Sequence, residues 1–336
     1  MKTMKKPIAL ILALCMAGGL LTSCAPKGET PEGTAGETKK ITITLDWTPN
    51  TNHTGVYVAQ EKGYFQEEGI EAEIIQPGQS TADALVASGE CQLGFSYQES
   101  VTTAAVQGIP LVSLAAVIQH NTSALASPAG KNIKTPKDFE GKTYAGWGSE
   151  TEELVIKTIM KNVGADFSKV KIVTTGTSDF FTTTERDADF QWVYYAWDGI
   201  AAELTGKPVN FIFIKDQDQS LDYYTPVIIA SKDEIEKEPD VVKSAMKAIS
   251  RGYEFAAENP GEAAEILIKE VPELDPELVK ASQEWLSSRY REDADRWGEQ
   301  KAEVWDRYSK WLLDNGVITE TPASDKMFTN DYLPQD

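Results

Sequence analysis

The stretch that decides the fold is residues 45–55, Leu-Asp-Trp-Thr-Pro-Asn-Thr-Asn-His-Thr-Gly. An alternating run at residues 41–45 predicts a buried strand, and the polar residues after it provide caps for a helix that begins near Gly55. Open α/β sheets bind ligands where a strand gives way to a loop and a helix N terminus, so we expect Trp47 at the mouth of a cleft. The alternative is a capped turn whose tryptophan packs in the core.

The N-terminal residues predict export from the cytoplasm. Residues 1–23 combine three lysines with an apolar run that is too short to span a membrane, which is typical of a signal peptide. Cys24 follows Leu-Thr-Ser and resembles the lipidated cysteine of bacterial lipoproteins. We therefore expect an extracytoplasmic protein that a lipid on Cys24 anchors to the cell membrane. Residues 24–39 are polar, lack a hydrophobic anchor, and predict a flexible linker.

The remaining chain is long enough for two lobes and is strongly acidic. The net charge of the full sequence is −20, and it becomes −23 when the three lysines of the signal are removed. Such a charge disfavours nucleic acid as a partner and is typical of a solubilising surface. We expect a monomer that does not bind nucleic acid.

Residue types suited to metal or covalent chemistry are scarce. The sequence has two histidines, and Cys24 and Cys91 are the cysteines that remain after the signal. These are too few for a His/Cys metal cluster, and no calcium-loop spacing or nucleophile elbow occurs. Gly-Trp-Gly-Ser at residues 146–149 lacks the third glycine of a dinucleotide loop, because Thr151 stands at that position. We expect no metal, no cofactor and no enzymatic activity, and we interpret Cys91 as a core thiol.

Strands and helices alternate up to residue 118 and predict a parallel α/β first lobe, and further strands and helices follow in the second. Polar residues at 119–123 separate two apolar runs and mark the first crossing between lobes, and residues 223–229 mark the return. We predict one lobe from residues 40–121 and 226–336 and the other from residues 122–225. The helical region from residue 232 onward is expected to complete the first lobe.

Three strand ends combine aromatic rings with hydrogen-bonding side chains, at residues 47–53, 96–99 and 194–198. Aromatic faces stack on a flat, nitrogen-rich ring while acids and amides bond to its edge. A phosphate would need Arg or Lys, which these stretches lack. Alternation along residues 192–197 places about half of the rings in the core, and Asp198 alternatively caps the helix that follows it.

Six motifs carry a family resemblance. They are Leu-Asp-Trp-Thr-Pro-Asn-x-x-His-x-Gly at 45–55, Lys-Gly-Tyr-Phe at 62–65, Ser-Tyr-Gln-Glu at 96–99, Gly-Trp-Gly-Ser at 146–149, Ser-Asp-Phe-Phe at 178–181 and Trp-Val-Tyr-Tyr-Ala-Trp-Asp-Gly at 192–199. Together they resemble the thiamine-pyrimidine-precursor binding proteins, the solute receptors of ABC importers for formylaminopyrimidine and hydroxymethylpyrimidine. The resemblance implies a two-lobed periplasmic-binding-protein fold of the second type, which closes about a two-stranded hinge and passes its ligand to a permease.

By matching position, the resemblance also implies which residues contact the ligand. They are Trp47, Asn50, Tyr97, Glu99, Ser149, Ser178, Asp179, Tyr194, Tyr195 and Asp198. Trp47 and one of the two tyrosines at 194 and 195 would form the stacking pair, and His53 would cap or support its loop rather than catalyse.

Two alternative functions share this fold. One is a receptor for another flat heterocycle, such as a flavin. The other is an enzyme similar to the fungal hydroxymethylpyrimidine phosphate synthases, which consume their own histidine and a pyridoxal cofactor. Those enzymes are cytosolic and carry a cysteine-rich iron motif, which this sequence lacks.

Overall fold

The computed structural model describes residues 38–176 and 179–335. The predicted signal peptide, the lipidation site at Cys24 and the linker up to residue 37 lie outside the described residues. Among the residues described, no helix combines the length and the apolar character that a membrane crossing requires.

The described residues form ten strands and twelve α-helices. The strands are β1 (Lys39–Thr44), β2 (Ile70–Ile75), β3 (Leu93–Ser96), β4 (Leu111–Ala116), β5 (Ser123–Pro128), β6 (Thr143–Gly146), β7 (Lys171–Thr174), β8 (Phe190–Tyr194), β9 (Val209–Phe213) and β10 (Val227–Ser231). The helices are α1 (Thr54–Glu61), α2 (Tyr64–Glu67), α3 (Ala82–Ala87), α4 (Gln98–Val106), α5 (Glu150–Asn162), α6 (Phe180–Arg186), α7 (Ile200–Leu204), α8 (Lys232–Lys237), α9 (Pro239–Glu258), α10 (Pro260–Glu270), α11 (Pro276–Ser287) and α12 (Ala302–Asp314).

The strands assemble into two five-stranded sheets with matching arrangements. The first has the order β2-β1-β3-β10-β4 and the second the order β7-β6-β8-β5-β9. In the first sheet β1 runs parallel to β2 and β3, and in the second β6 runs parallel to β7 and β8. The parallel strands therefore bring the loops that follow β1, β3, β6 and β8 to the carboxyl edges of their sheets, where α/β proteins bind ligands.

The prediction of a parallel first lobe is wrong in one respect, and the second sheet shows the same feature. Strand β10 is antiparallel to β3 and β4, and β5 is antiparallel to β8 and β9. These are the strands that the chain forms directly after it passes from one sheet to the other. Each enters its new sheet in the reverse direction, so both sheets are mixed.

The two connections between the sheets are tied to each other. Asp222 on the return connection accepts a hydrogen bond from the backbone N–H of Asn121 at 3.0 Å and pairs with His120 Nδ1 at 2.6 Å. The amide of Asn121 also donates to the backbone oxygen of Leu221 at 3.0 Å. These bonds lie where the sequence predicts a two-stranded hinge. The exact lobe boundaries stay a prediction.

Helix α12 contributes to more than one hydrophobic core. Its Tyr308, Trp311 and Leu312 pack in the core of the second sheet, whereas Trp305 packs with residues of the first sheet, including Val227. The C-terminal region is predicted to complete the first lobe, and this helix also contacts the core of the second sheet. The predicted core thiol, Cys91, is buried.

Helices α1 and α9 approach each other closely, and this contact fixes the helix that follows the 45–55 stretch. A Cβ atom on Gly252 would lie 2.0 Å from the backbone oxygen of Gly55 and 3.1 Å from the Cβ atom of Ala59. A backbone atom cannot rotate away as the end of a side chain can, so only glycine fits at this crossing.

We expect Gly252→Ala to lower the free energy of unfolding by about 3 kcal/mol, because the added methyl group forces α1 and α9 apart. The control is Gly261→Ala in α10, where an added Cβ meets nothing within 4 Å and the change should be neutral or slightly stabilising. Urea unfolding of both variants measures the difference. Similar stabilities for the two variants would contradict the packing argument.

Candidate functional site

The loop after β1 is organised by His53, whose side chain is completely buried. Its Nδ1 accepts the backbone N–H of Asn50 at 3.1 Å, which leaves Nε2–H to donate to Asp46 Oδ1 at 2.7 Å. His53 therefore caps and supports the loop. Both of its ring nitrogens are occupied.

Asp46 presents an ionised acceptor at the end of β1. Burial alone would raise the pKa of this carboxyl, but hydrogen bonds from His53 and Tyr97 hold it below its usual value. The sequence analysis did not single out Asp46, although it lies within the opening stretch. Its role depends on the bond to His53, which the sequence pattern does not reveal.

Trp47 and Asn50, both predicted to contact the ligand, differ in their freedom to do so. The side chain of Trp47 is 50% exposed, so its ring is presented at the loop rather than packed in the core. The side chain of Asn50 is used within the loop, where Oδ1 accepts from the backbone N–H of Asn52 at 2.9 Å and Nδ2 donates to the backbone oxygen of Thr48 at 3.1 Å. Asn50 thus caps the turn at residues 51–53.

A cavity of about 390 Å³ opens beside Trp47, and this volume suits a small organic ligand. The lining side chains come from the ends of β1 and β3, from the loop before α3, and from the first turns of α3 and α4. Those with polar groups or aromatic rings include Asp46, Trp47, Gln76, Asp83, Ser96, Tyr97 and Ser100. Of these, the sequence analysis named only Trp47 and Tyr97.

A cluster of tyrosines and carboxyls continues from this cavity toward the connections between the sheets. Tyr97 hydrogen-bonds to Asp46, Tyr194 to Thr225, and Tyr223 to Glu99. Burial raises the pKa of all three tyrosine hydroxyls above the usual value, so they remain neutral at physiological pH. The cluster therefore supplies hydroxyl groups beside the two carboxyls.

Glu99 differs from Asp46 in its electrostatic state. Burial raises the pKa of Glu99 to about 7, the hydrogen bond from Tyr223 opposes that rise, and the charge of Asp83 adds to it. Its Oε2 atom is buried and has no hydrogen-bond partner among the described residues. A carboxyl in this setting is a candidate for contact with a ligand.

On the second sheet, the loop after β6 is held by Glu152. Its carboxylate accepts the hydroxyl of Tyr144 at 2.6 Å and the backbone N–H groups of Gly148 at 2.8 Å and Ser149 at 2.9 Å. The hydroxyl of Ser149 caps α5 by accepting the N–H of Glu152 at 3.2 Å. Ser149 therefore has a structural bond that accounts for its position.

The same loop exposes Trp147, which the sequence analysis quoted within a motif but did not name as a contact. Its side chain is 42% exposed and its ring meets Trp192 edge to face at 5.5 Å between centroids. Trp147 thus occupies a place at the end of β6 that corresponds to the place of Trp47 at the end of β1.

The structure distinguishes Tyr194 from Tyr195, which the sequence left as alternatives. Tyr194 belongs to the cluster with Asp46 and Glu99, whose charges act on its hydroxyl. Tyr195 points elsewhere: its ring packs against Phe211 at 4.9 Å and Trp285 at 5.0 Å, and its hydroxyl donates to Glu203. This packing gives Tyr195 a scaffold role, because its ring and hydroxyl are both occupied.

Asp198 lies in a π-helical turn, Tyr195–Gly199, that joins β8 to α7. Its carboxylate accepts the backbone N–H of Tyr194 at 3.2 Å, so it bonds backward along the chain rather than capping α7. Desolvation by the surrounding protein raises the pKa of Asp198, and the nearby Asp179 adds to the rise. Asp179 itself caps α6 through the N–H of Thr182 at 2.8 Å. Ser178 lies outside the described residues.

The described part of the site offers stacking faces, carboxyls and hydroxyls. Within residues 38–176 and 179–335, no three His, Cys, Asp or Glu side chains converge in a way that could hold a metal ion. Among the described residues that line the cavity, none is Lys or Arg. The arrangement is suited to a flat ligand that carries hydrogen-bond donors and no phosphate.

Comparison with known proteins gives the following matches. Residues 50–263 match the family described as NMT1/THI5 like. The formylaminopyrimidine-binding protein of Halalkalibacterium halodurans is 28% identical, over 95% of this chain and 98% of its own length. The 4-amino-5-hydroxymethyl-2-methylpyrimidine phosphate synthase of Legionella pneumophila is 24% identical, over 88% of this chain and 92% of its own length.

Among solved structures, the periplasmic aliphatic sulphonate-binding protein SsuA of Escherichia coli superimposes with a TM-score of 0.67. The two chains are 14% identical, and the match covers 88% of this chain and 94% of the other. At that identity the likeness concerns the fold. The predicted α/β periplasmic-binding-protein fold is confirmed.

Proposed function

The chain belongs to the NMT1/THI5-like family, as its motifs predict, and on that premise we propose that it is the solute-binding protein of an ABC importer for an aminopyrimidine precursor of thiamine. The ligand is formylaminopyrimidine or hydroxymethylpyrimidine. The observation that carries the proposal is the exposed Trp47 beside the ionised Asp46 in a cavity of about 390 Å³.

Each part of an aminopyrimidine has a partner in this site. Trp47 stacks on one face of the ring, and Tyr194 is the candidate for the opposite face. The carboxylate of Asp46 accepts the exocyclic amino group, and the hydroxyl of Tyr97, which is bonded to Asp46, borders the same edge. Asp198, Asp179 and Ser149 lie in turns and at helix starts beside the second sheet, and together with Ser178 they are our candidates for contact with the outer substituent when the lobes close.

A receptor agrees better with the described residues than a phosphate synthase does. The nitrogens of His53 are both bonded within its own loop and the ring is completely buried, so this histidine is not available as a reactant. The cavity side chains carry no positive charge that would hold the phosphate of a pyridoxal cofactor or of a phosphorylated product. We therefore propose a binding protein that is not an enzyme.

The remaining parts of the proposal concern delivery. A lipid on Cys24 anchors the monomer to the outer face of the cell membrane, and the linker predicted at residues 24–39 acts as the tether. The lobes close about the connections that Asp222 ties together. Closure on the ligand presents the surface that the permease reads.

We expect Trp47→Ala to weaken binding of both pyrimidines by about 10- to 100-fold, because stacking of a base on an aromatic ring contributes about 1–3 kcal/mol. Calorimetric titration of the intact chain measures the change. Leu204→Ala is the control, since Leu204 is also 50% exposed but lies on α7 outside the cavity.

The proposed function is wrong if neither pyrimidine binds the unaltered protein more tightly than about 1 mM. Titration with riboflavin tests the alternative receptor function. Tight riboflavin binding without pyrimidine binding would replace the proposal with that alternative.

A further inference from the structure

Asp83 lines the cavity beside Trp47 and has no role in the contacts proposed above. It lies in the first turn of α3, where an acidic residue commonly stabilises its own helix and nothing else. Thr81 already caps α3, however, by accepting the backbone N–H of Ala84 at 3.2 Å. The carboxyl of Asp83 instead accepts the hydroxyl of Ser96, at the end of β3, at 2.5 Å. Its position is therefore set by the cavity wall rather than by the cap of its helix.

The packing of α3 against the first sheet brings Asp83 to that wall. Val86 lies one turn after Asp83 on the same face of α3 and is completely buried. It packs over Gly94 of β3, where an added Cβ atom would lie 2.8 Å from Val86 Cγ2. Asp83 then meets Ser96, which is two positions further along β3 and on the same face of the sheet. A side chain at Gly94 would push α3 and this carboxyl away.

Neighbouring strands place Asp83 beside Asp46. Strand β1 pairs with β3 in parallel, with Thr44 opposite Gly94, so Asp46 and Ser96 follow these residues at two strand ends about 4.8 Å apart. Both carboxyls line the cavity, and none of the described residues that line it is Lys or Arg. Burial raises the pKa of Asp83, and the charge of Asp46 adds to that rise. Two acids in this arrangement are best accommodated by a ligand that donates a hydrogen bond to each.

Asp83 keeps acceptor capacity for such a ligand. A carboxylate has about four lone-pair positions. The hydroxyls of Ser96 and Ser100 donate to Asp83 and oppose the rise in its pKa that burial causes. The remaining positions belong to a side chain that borders the cavity and is not completely buried.

Both pyrimidines proposed as ligands carry two donors side by side. The ring bears an amino group, and the neighbouring ring carbon bears an arm. That arm has an O–H in hydroxymethylpyrimidine and an N–H in formylaminopyrimidine. Two adjacent donors on the ligand thus match two adjacent carboxyls in the cavity.

Resting on the function proposed above, we propose that Asp83 is a specificity-determining residue that accepts the O–H or N–H of this arm while Asp46 accepts the amino group. A ligand whose arm lacks a donor leaves the carboxyl of Asp83 opposite an apolar group, and this loss of a partner weakens binding. The part of the arm beyond the donor, such as the formyl group, remains available to the second sheet. Asp83 therefore selects on the arm, whereas Trp47 stacks on the ring of every pyrimidine alike.

The experiment is calorimetric titration of the full chain with two ligands. One is hydroxymethylpyrimidine or formylaminopyrimidine, whichever binds the unaltered protein more tightly, and the other is an analogue with a methyl group in place of the arm. We expect the unaltered protein to prefer the first by about 10- to 100-fold, since the second makes no hydrogen bond to the carboxyl. In Asp83→Ala the preference should fall to within about threefold, because the acceptor is gone. Trp47→Ala is the control, since it should weaken both ligands and keep their ratio.

Ser96→Ala separates contact with the ligand from a structural role of Asp83. It breaks the same bond between α3 and β3 but leaves the carboxyl at the cavity, so the preference should remain. Asp83→Asn keeps the shape of the side chain and replaces Asp83→Ala if that variant does not fold. Its neutral oxygen is a weaker acceptor than a carboxylate, so the preference should fall about fivefold.

The proposal is overturned if Asp83→Ala, or Asp83→Asn in its place, keeps the preference of the unaltered protein. It is also overturned if Ser96→Ala loses the preference as fully as Asp83→Ala does, because the bond between α3 and β3 would then be the cause. An unaltered protein that binds pyrimidines with and without the donor equally well contradicts this inference alone. Failure of both hydroxymethylpyrimidine and formylaminopyrimidine to bind overturns the proposed function, and this inference with it.

Discussion

Asp46→Asn is expected to weaken aminopyrimidine binding about 100-fold, because hydrogen bonds to a charged partner contribute about 1.5–3 kcal/mol and this substitution also replaces an acceptor with a donor. The asparagine oxygen can still accept from His53, so the loop keeps its conformation. The amide NH₂ then faces the amino group of the ligand. The amide of the new side chain and the amino group of the ligand are both donors, so no hydrogen bond forms between them. The substitution therefore weakens binding and leaves the free energy of unfolding nearly unchanged.

Calorimetry and urea unfolding of the same variant separate these effects. We expect a large change in Kd with a free energy of unfolding close to that of the unaltered protein. Asp166→Asn is the matched control: Asp166 is exposed and caps a short turn through Ser168, outside the cavity. If Asp46→Asn binds as well as this control does, Asp46 is not the acceptor for the amino group.

The opening stretch shows how much of the site can be predicted from sequence. The alternation at residues 41–45 and the polar break after it predicted a strand, an exposed Trp47 and a following helix, and the structure contains all three. Those features depend on local periodicity and turn chemistry. Asp46 was missed because its ionised state depends on a bond to His53 across the loop.

The pair at 194 and 195 shows where periodicity is insufficient. Alternation predicts that Tyr194 and Tyr195 face opposite ways, but β8 ends at Tyr194 and Tyr195 begins the π-helical turn. Which of the two faces the cleft depends on packing partners such as Phe211 and Trp285, which lie on other elements. The register of β8 against its neighbours determines which tyrosine faces the cleft. No local pattern within residues 192–199 indicates that register.

The protonation state of Glu99 likewise could not be predicted from the sequence. Its position after a buried strand identified it as a candidate contact. Burial raises its pKa, the hydrogen bond from Tyr223 opposes that rise, and the charge of Asp83 adds to it, and these groups surround Glu99 only because distant parts of the chain pack there. A residue type can be read from sequence, but its pKa is a property of the assembled environment.

Glu99→Gln should raise the free energy of unfolding at pH 8 by up to about 3 kcal/mol and by much less at pH 4.5, since each unit of pKa shift corresponds to about 1.4 kcal/mol. The pKa of Glu99 rises from 4.5 to about 7 on folding. The folded protein thus holds the proton more tightly than the unfolded chain does. The stability linked to that proton is fully present below about pH 4.5 and is lost as the pH rises through 7.

Glutamine removes the titration while keeping the shape of the side chain, so the two proteins should differ progressively as the pH rises. Urea unfolding at pH 4.5, 6 and 8 measures the difference in free energy of unfolding between Glu99→Gln and the unaltered protein. The other titrating groups are the same in both proteins, so their effects cancel in this difference. Glu258→Gln, at the exposed C-terminal end of α9, is the matched control. A constant difference between Glu99→Gln and the unaltered protein across this range would mean that Glu99 is ionised in the folded protein. A buried acid whose pKa rises on folding lowers stability at neutral pH, and such perturbed groups are more common at functional sites than elsewhere.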